Sequence, residues 1–340
     1  MTNKPRVAVH IVSWNSLQHL PSGLASIANQ HYQPIELLLI DNASADGTST
    51  WLREHYPHVH VLRNTRNLGF ARAHNQGLLL SDAPYIVMAN PDVVLQPDWI
   101  ARGVAALEAH PDAGSFGGKI LRFDYSSDEL REVQFSGIID STGIQVSRSR
   151  HIVDRGSGQP DTGQYDHAEP VFGFSGALVM YRRAALESIR YRDEFIDDDF
   201  FAYKDDTDVA WRLQRHGWTA WYDPTAIGYH HRTIKGQSIV TDRLIAKNHR
   251  SRSLVNSYYS YRNHWLMLIK NDRWTTVWRD LPWMAWYEIK KFIYLLWRRP
   301  GALRAWRDIF RLLPTMRRKG RLIDEHATAT PAAVRTWFGH

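Results

Sequence analysis

The chain has 340 residues, 44% of them hydrophobic, and a formal net charge of +7. This length and composition predict a full hydrophobic core, with room for one large domain and an appendage. The absence of cysteine excludes disulfides and thiolate metal sites. We predict no membrane span, because no apolar run reaches about 18 residues. We expect a cytoplasmic protein, because no cationic and apolar leader precedes the first predicted strand.

Charge is distributed unevenly along the chain. Residues 243 to 321 contain 19 lysines and arginines against 4 acidic residues, whereas residues 1 to 242 contain 22 against 29. Opposite charge in two stretches predicts two parts with separate roles. We therefore predict one domain over 1–242 and a basic, aromatic-rich helical extension over 243–340.

The first part alternates short β-rich runs with helical stretches. The predicted strands cover 6–12, 35–40, 59–62 and 84–89, and the predicted helices cover 17–29, 46–55 and 69–81. This order is typical of an α/β fold with a mostly parallel sheet, which binds ligands beyond the carboxyl ends of its strands. The polar, glycine-rich stretch from 124 to 170 predicts a long surface loop that closes over a ligand.

Polar residues follow three of the predicted strands, at Trp14-Asn15, Asp41-Asn42 and Asn90-Pro91-Asp92. We expect the three strand ends to line one crevice, because parallel strands end at the same edge of a sheet. Turn and helix-cap chemistry explains each of them equally well when it is taken alone.

Seven motifs resemble one known family in their order and spacing. VHIVSWN, LLLIDNASADGT, RNLGFARAHNQGL and MANPDVVLQPDW resemble the nucleotide-sugar half of the family 2 inverting glycosyltransferases. GFSGALVMYRRAAL, FIDDDFFAYKDDTDVAWRLQRHGW and PTAIGYHH resemble the acceptor half. The resemblance covers roughly 6 to 320 and is closest to the bacterial rhamnosyltransferase-like branch. It implies a GT-A fold, a Rossmann-like, mostly parallel sheet flanked by helices, followed here by the helical extension.

The resemblance also implies a metal-assisted donor site. Asn90-Pro91-Asp92 takes the place of the family's Asp-x-Asp motif, so Asp92 is the expected ligand of Mg2+ or Mn2+. His230 takes the position of a metal-binding imidazole, with a purely structural histidine as the alternative. The residues expected to bind the donor are Trp14, Asn15, Asp41, Asn42, Ser44, Asn67, Gly69, Arg72, Asn90 and Gly176.

Six carboxylates fall within twelve residues, at Asp197, Asp198, Asp199, Asp205, Asp206 and Asp208. Such density raises some of their pKa values unless cations relieve it, which suits a general base. The resemblance assigns the base to Asp206, with Asp205 in place of the family's glutamate. Helix capping by Asp206 and Asp208 is a compatible alternative. We expect Trp218 and Asp208 on the acceptor side.

The implied reaction moves L-rhamnose from dTDP-rhamnose onto a hydroxyl of a cell-surface polysaccharide or its polyprenyl-linked precursor. The configuration at the sugar inverts in a single displacement. UDP-galactofuranose and UDP-N-acetylglucosamine are the alternative donors. A metal-dependent nucleotidyltransferase is the alternative enzyme class.

The basic extension combines aromatic and cationic residues. On a helix from 302 to 313, Leu303, Trp306, Phe310 and Leu313 share one face, beside Arg304, Arg307 and Arg311. Three interpretations compete, namely packed core helices, an interfacial membrane anchor and a nucleic-acid site. A lipid-linked acceptor favours the anchor, so we expect a peripheral protein at the inner face of the cell membrane, bound to anionic lipid, with no nucleic-acid partner.

Overall fold

A computed structural model of the chain describes residues 4–125, 133–231 and 254–339. The first elements are β1 (Val7–Ser13), α1 (Leu20–Ala28), β2 (Ile35–Asp41), α2 (Thr48–His55), β3 (His60–Arg63), α3 (Phe70–Leu80) and β4 (Tyr85–Ala89). All seven predicted elements of this stretch are present, and none of their ends is displaced by more than three residues.

The following elements complete the first part of the chain. They are β5 (Val93–Leu95), α4 (Trp99–Ala109), β6 (Ala113–Tyr125), β7 (Val133–Ser141), β8 (Ile144–Ser147), β9 (Ile152–Asp154), β10 (Glu169–Val171), β11 (Leu178–Arg182), α5 (Arg183–Ser188), α6 (Asp205–Arg215) and β12 (Thr219–His230). The prediction of one long loop over 124–170 is wrong, because four short strands lie in it. Most of β7 is exposed or half-buried, so its sequence carries little of the apolar pattern that identifies a strand.

The main sheet has the strand order β3-β2-β1-β4-β11-β6-β12-β10. Strands β1 to β4 are parallel, β11 is antiparallel to its neighbours β4 and β6, and β12 runs parallel to β6. The register sets Ser13 beside Asp41 and Ile11 beside Ala89, so the polar residues that follow β1, β2 and β4 emerge at one edge.

Both faces of the sheet are covered. Helices α1 and α4 pack on one face through residues such as Leu24 and Trp99, and α3, α5 and α6 pack on the other through residues such as Leu78 and Leu213. Val9 and Val87 of the central strands are fully buried. Burial on both faces explains why these strands are continuous apolar runs without alternation.

The helical extension consists of α7 (Leu254–Asn271), α8 (Trp274–Arg298), a 3-10 helix (Pro300–Arg304), α9 (Ala305–His326) and α10 (Pro331–Arg335), followed by β13 (Phe338–Gly339). Strand β13 joins a small sheet with β8 and β9. Among the described helices, none contains an apolar stretch of the length that a membrane span requires. The domain boundary near 242 lies outside the described residues and stays a prediction.

The extension shares a hydrophobic core with the first part of the chain. Trp211 of α6 packs in the same cluster as Tyr261 and Met267 of α7 and Ile309 of α9. Of the stripe predicted on 302–313, Leu303 and Trp306 pack against this core, whereas Phe310 is exposed. Part of the aromatic content of the extension is therefore ordinary core.

Candidate active site

The ends of β1 and β2 form the first wall of the predicted crevice. Asn42 donates its backbone N–H to the carbonyl of Ser13, at 2.8 Å. Ser44 Oγ accepts a hydrogen bond of 2.9 Å from Asn15 N, and the Asn15 side chain accepts one of 2.8 Å from Ala45 N. These bonds hold the two polar strand ends side by side.

Asp41 and Trp14 lie at different depths in this wall. The Asp41 carboxylate is fully buried, and it accepts hydrogen bonds of 2.9 Å from both Ser44 N and Ser49 Oγ. The side chain of Trp14 is 55% exposed, and Asn15 beside it is also exposed. Asp41 therefore shapes the loop from within, while Trp14 and Asn15 lie at its exposed surface.

The loop before α3 is tied to this wall. Asn42 Nδ2 donates to the carbonyl of Gly69 at 3.1 Å, and the Asn67 side chain accepts from Gly69 N at 2.8 Å. Gly69 has a φ of +85°, and a Cβ there would come within 2.5 Å of the Phe201 carbonyl oxygen. Arg72 forms an ion pair of 3.2 Å with Asp198. The predicted donor loop thus contacts the acidic segment directly.

His230 and Asp92 face each other at the second wall. His230 Nε2 lies 3.4 Å from Asp92 Oδ1, and His230 Nδ1 lies 2.8 Å from Asp140 Oδ2. Burial opposes the charged imidazole, but the two carboxylates outweigh it and raise the pKa of His230 to about 9. Burial likewise opposes ionisation of Asp92, yet His230 lowers the pKa of that carboxyl.

This arrangement fits a divalent cation once His230 has lost its proton, because only the neutral imidazole has a lone pair for a metal. Metal-binding histidines usually bond their second ring nitrogen to a carboxylate, which is the part that Asp140 plays toward His230. Within the described ranges no three acidic or histidine side chains form a complete metal cluster. A cation here would therefore need oxygen ligands from phosphate and water besides Asp92 and His230. Asp140 belongs to no motif, so nothing in the sequence singled it out.

Asp206 lies close to the Asn90-Asp92 turn. Its Oδ2 accepts a hydrogen bond of 3.1 Å from Gly176 N, and the next residue, Ala177, accepts one of 2.8 Å from Asn90 N through its carbonyl. Asp206 Oδ1 accepts from Thr207 N at 2.6 Å. The structure thus brings Asp206, Gly176 and the turn that holds Asp92 close together.

Only part of the acidic cluster forms ion pairs with basic side chains. Asp197, Asp198, Asp199 and Asp208 pair with lysines or arginines, whereas in the described part of the chain no basic side chain forms an ion pair with Asp205 or Asp206. Burial raises the pKa of both, and the charge of Asp206 raises that of Asp205 further. Asp206 is half-buried and accessible, whereas Asp205 is buried behind it. Asp206 is therefore the better placed of the two to meet a substrate.

The two residues expected on the acceptor side lie elsewhere. Asp208 is fully buried and bonded to Lys270, Arg212 and Asn271 at 2.7–2.9 Å. Trp218 packs on Gly114 at the start of β6, which is the opposite edge of the sheet from Asn90.

Each of these two placements has a physical reason. Asp208 turns inward because two cations and an amide compensate its burial. Trp218 directly precedes β12, and the first residues of β12 pair with the first residues of β6. Trp218 therefore lies at the edge of the sheet where β6 begins.

Residues 8–190, more than half of the chain, match the model of glycosyl transferase family 2. The chain belongs to this family. The N-acetylglucosaminyl-diphospho-decaprenol L-rhamnosyltransferase of Mycobacterium tuberculosis is 28% identical over 236 residues, which are 65% of this chain and 74% of the relative. The predictions of a transferase and of a resemblance to the rhamnosyltransferase-like branch are confirmed.

Solved structures confirm the fold of this glycosyltransferase. GalNAc-T7, crystallised with UDP, GalNAc and Mn2+, matches with a TM-score of 0.57 at 13% identity, over 79% of this chain and 48% of that one. The mannosyltransferase PcManGT of Pyrobaculum calidifontis, in complex with GDP-Man and Mn2+, matches with a TM-score of 0.52 at 18% identity, over 98% and 87%.

Proposed function

We propose that this glycosyltransferase moves L-rhamnose from dTDP-rhamnose to a hydroxyl of a lipid-linked glycan, with inversion at the anomeric carbon and Asp206 as the general base. The observation that carries the proposal is the Asp206–Gly176–Ala177–Asn90 connection, which places an accessible carboxylate of raised pKa beside the turn that holds Asp92. The similarity to the mycobacterial L-rhamnosyltransferase supports the choice of sugar.

The base is oriented by its own neighbours. Gly176 N–H holds Oδ2 of Asp206, and Thr207 N–H holds Oδ1, so the carboxylate has one fixed rotamer with lone pairs left for a proton. Asp206 takes the proton of the acceptor hydroxyl as its oxygen attacks the anomeric carbon. A carboxylate whose pKa is raised by burial is a stronger base than an exposed one.

The donor diphosphate would lie between Asn90 and the first wall. A divalent cation such as Mg2+ or Mn2+, when bound, supplies positive charge to the departing diphosphate. Asp92 and His230 are the residues that would hold it, and Asp140 keeps the imidazole turned toward Asp92. Mn2+ in the two structurally similar transferases supports a divalent metal. The nucleoside would contact Trp14 and Asn15, both of which are exposed.

Release of nucleoside diphosphate tests the proposal. The purified enzyme is incubated with Mn2+, N-acetylglucosaminyl-diphospho-decaprenol and, in turn, dTDP-rhamnose, UDP-galactofuranose or UDP-N-acetylglucosamine. We expect acceptor-dependent release from dTDP-rhamnose alone, with NMR showing the inverted anomer. Asp206→Asn should lower kcat by about 10²–10⁴-fold, whereas Asp82→Asn, at an exposed ion pair, should not. Equal rates for wild type and Asp206→Asn would contradict the assignment of the base, and release of sugar 1-phosphate in place of nucleoside diphosphate would indicate nucleotidyl transfer.

We further propose that α8 lies on an anionic membrane surface. Nine of its exposed apolar residues fall within an arc of roughly 160° at 100° per residue: Trp274, Trp278, Leu281, Trp286, Ile289, Phe292, Ile293, Leu296 and Trp297. Trp274 is 72% exposed and Trp297 is 82% exposed. Soluble monomers rarely expose an apolar face of this size.

The charges around this face favour anionic lipid. The two acidic residues of α8, Asp280 and Glu288, point away from solvent, and Asp280 is paired with arginines. Arg279 lies at one border of the apolar arc, and Arg298 is exposed at the end of the helix. Five more exposed arginines fall on one side of α9 and of the residue that precedes it: Arg304, Arg307, Arg311, Arg318 and Arg321. Each is worth on the order of 1 kcal/mol near an anionic surface.

Vesicle sedimentation tests the membrane proposal. We expect binding to phosphatidylglycerol-containing vesicles that weakens with added salt, and little binding to pure phosphatidylcholine. The double variant Trp278→Ser/Trp286→Ser should lose most of this binding. Phe135→Ser, at an exposed aromatic residue of β7, serves as the matched control and should bind like the wild type. Equal sedimentation of both variants would contradict the docking face.

A further inference from the structure

The segment before Asp206 has an unusual backbone. Phe201, Tyr203 and Lys204 have φ values of 61°, 71° and 68°, and none of them is a glycine. A left-handed backbone at a side-chain-bearing residue costs on the order of 1–3 kcal/mol and persists only where its surroundings impose it. Helix α6, which carries Asp206, begins directly after this strained turn.

One buried side chain of α7 bonds to most of that turn. Asn263 is fully buried, and its Nδ2 lies 2.7 Å from the carbonyls of Phe200 and Ala202 and 2.8 Å from that of Tyr203. Two amide hydrogens are thus shared among three carbonyls. Arg262 Nε in turn donates to Asn263 Oδ1 at 2.9 Å, which fixes the orientation of the amide.

The same turn contacts the donor loop. Phe201 accepts a hydrogen bond of 2.7 Å from Phe70 N through its carbonyl, and its ring stacks on Tyr259 of α7 at 4.9 Å between centroids. Gly69, next to Phe70, packs against Phe201 so closely that it has no room for a side chain. Helix α7 therefore supports a turn that lies between the donor loop and the base.

We infer that Asn263 is a positioning residue for the proposed base: it holds the strained turn Phe201–Lys204 so that the Asp206 carboxylate meets Gly176 N–H. This inference rests on the proposed function. Without the amide, three carbonyls lose a buried donor, and the left-handed residues can relax toward ordinary backbone. A displacement of about 1 Å at a reacting group can cost about 10²-fold in rate.

A double-mutant cycle tests the inference, using dTDP-rhamnose, Mn2+ and N-acetylglucosaminyl-diphospho-decaprenol. We expect Asn263→Ala to lower kcat by about 10–100-fold. Asn263→Ser, which keeps one donor, should fall between it and the wild type, and it carries the test if the alanine variant does not fold. In an Asp206→Asn background, Asn263→Ala should change kcat by less than about twofold, because the residue acts through the base.

The matched control is Asn271→Ala. Asn271 is an equally buried asparagine of α7, but it bonds to Asp208 and Met267 instead of the turn. It should lower the urea midpoint while kcat stays within about threefold of wild type. The inference would be overturned if Asn263→Ala lowered kcat by the same factor in the Asp206→Asn background as in the wild type. Equal kcat losses in Asn263→Ala and Asn271→Ala would also overturn it. If Asp206→Asn itself retains full activity, the proposed function fails instead, and the two failures are thereby distinguished.

Discussion

The imidazole of His230 lies between two carboxylates, with Asp140 Oδ2 2.8 Å from its Nδ1 and Asp92 Oδ1 3.4 Å from its Nε2. Asp140 is at the end of β7 and almost fully buried, and Arg122 is its further ionic neighbour at 3.4 Å. The ring orientation of His230 therefore depends on a residue 90 positions earlier in the chain.

Replacement of Asp140 should weaken metal binding. We expect Asp140→Ala to lower the affinity for Mn2+ about 10–100-fold, because the imidazole loses the partner that orients it and increases its basicity. Calorimetric titration of Mn2+ in the presence of dTDP measures this without turnover. Asp124→Ala, beside the neighbouring His231, removes an exposed carboxylate and should leave the affinity within about twofold. Unchanged affinity in Asp140→Ala would contradict the orienting role.

Gly69 should tolerate no side chain. An alanine there would combine a φ of +85° with a Cβ 2.5 Å from the Phe201 carbonyl oxygen. We expect Gly69→Ala to lower the free energy of unfolding by at least about 2 kcal/mol, as measured by urea titration. Gly137 is the control, because a Cβ there meets nothing within 4 Å. Unfolding of both variants at the same urea concentration would contradict the close packing of Gly69 against the Phe201 carbonyl.

Two buried histidines should make the protein sensitive to acid. Burial and the charge of Arg183 lower the pKa of His10 to about 4, and burial and His10 lower that of His74. An unfolded histidine titrates near 6.5, so the unfolded state gains protons first as the pH falls, and stability declines from about pH 6.5 toward pH 4. His10 alone accounts for up to about 3 kcal/mol of this loss.

The measurement is urea unfolding at pH 7.5, 6.0 and 5.0. His10→Met should show a flatter dependence of unfolding free energy on pH than the wild type. The control His58→Met replaces an exposed histidine and should keep the wild-type slope. Parallel slopes for His10→Met and wild type would show that the imidazole is not buried in its neutral form.

Asp205 should lower stability at neutral pH. Burial and the neighbouring Asp206 raise the pKa of Asp205, so the folded state holds its proton above the pH at which the unfolded chain has lost it. This difference costs stability as the pH rises above about 4. We expect Asp205→Asn to be more stable than wild type at pH 7.5, with the gap closing near pH 4. A constant gap across this range in thermal unfolding would argue against the raised pKa.

The sequence predicted the parallel half of the fold well because its strands are buried on both faces and end in polar motifs. Val9 and Val87 lie in short apolar runs bounded by turn residues, and such runs have few alternatives to a covered strand. The sequence does not predict strand β7, because its residues are largely exposed and do not alternate between apolar and polar. Asp140, at its end, was missed with it.

The positive charge of the extension has two structural roles. The exposed arginines favour a membrane-facing role, whereas two lysines of the extension are internal counterions. Lys270 contacts Asp197 and Asp208, and Lys319 contacts Asp197 at 2.6 Å. Such pairs join residues 62 to 122 positions apart, and composition alone cannot assign partners over that separation.

Helix α7 holds the segment 197–208, which contains the six acidic residues. This attachment limits where the chain can be joined to a related enzyme in a chimera. Lys270 and Lys319 neutralise the acids of this segment, and Asn263 bonds to its carbonyls. A chimera joined at the start of α7 would take the two lysines and Asn263 from one enzyme and their acidic and carbonyl partners from the other. A junction placed before Glu194 would transplant the turn, the base and their supporting helices as one inherited block.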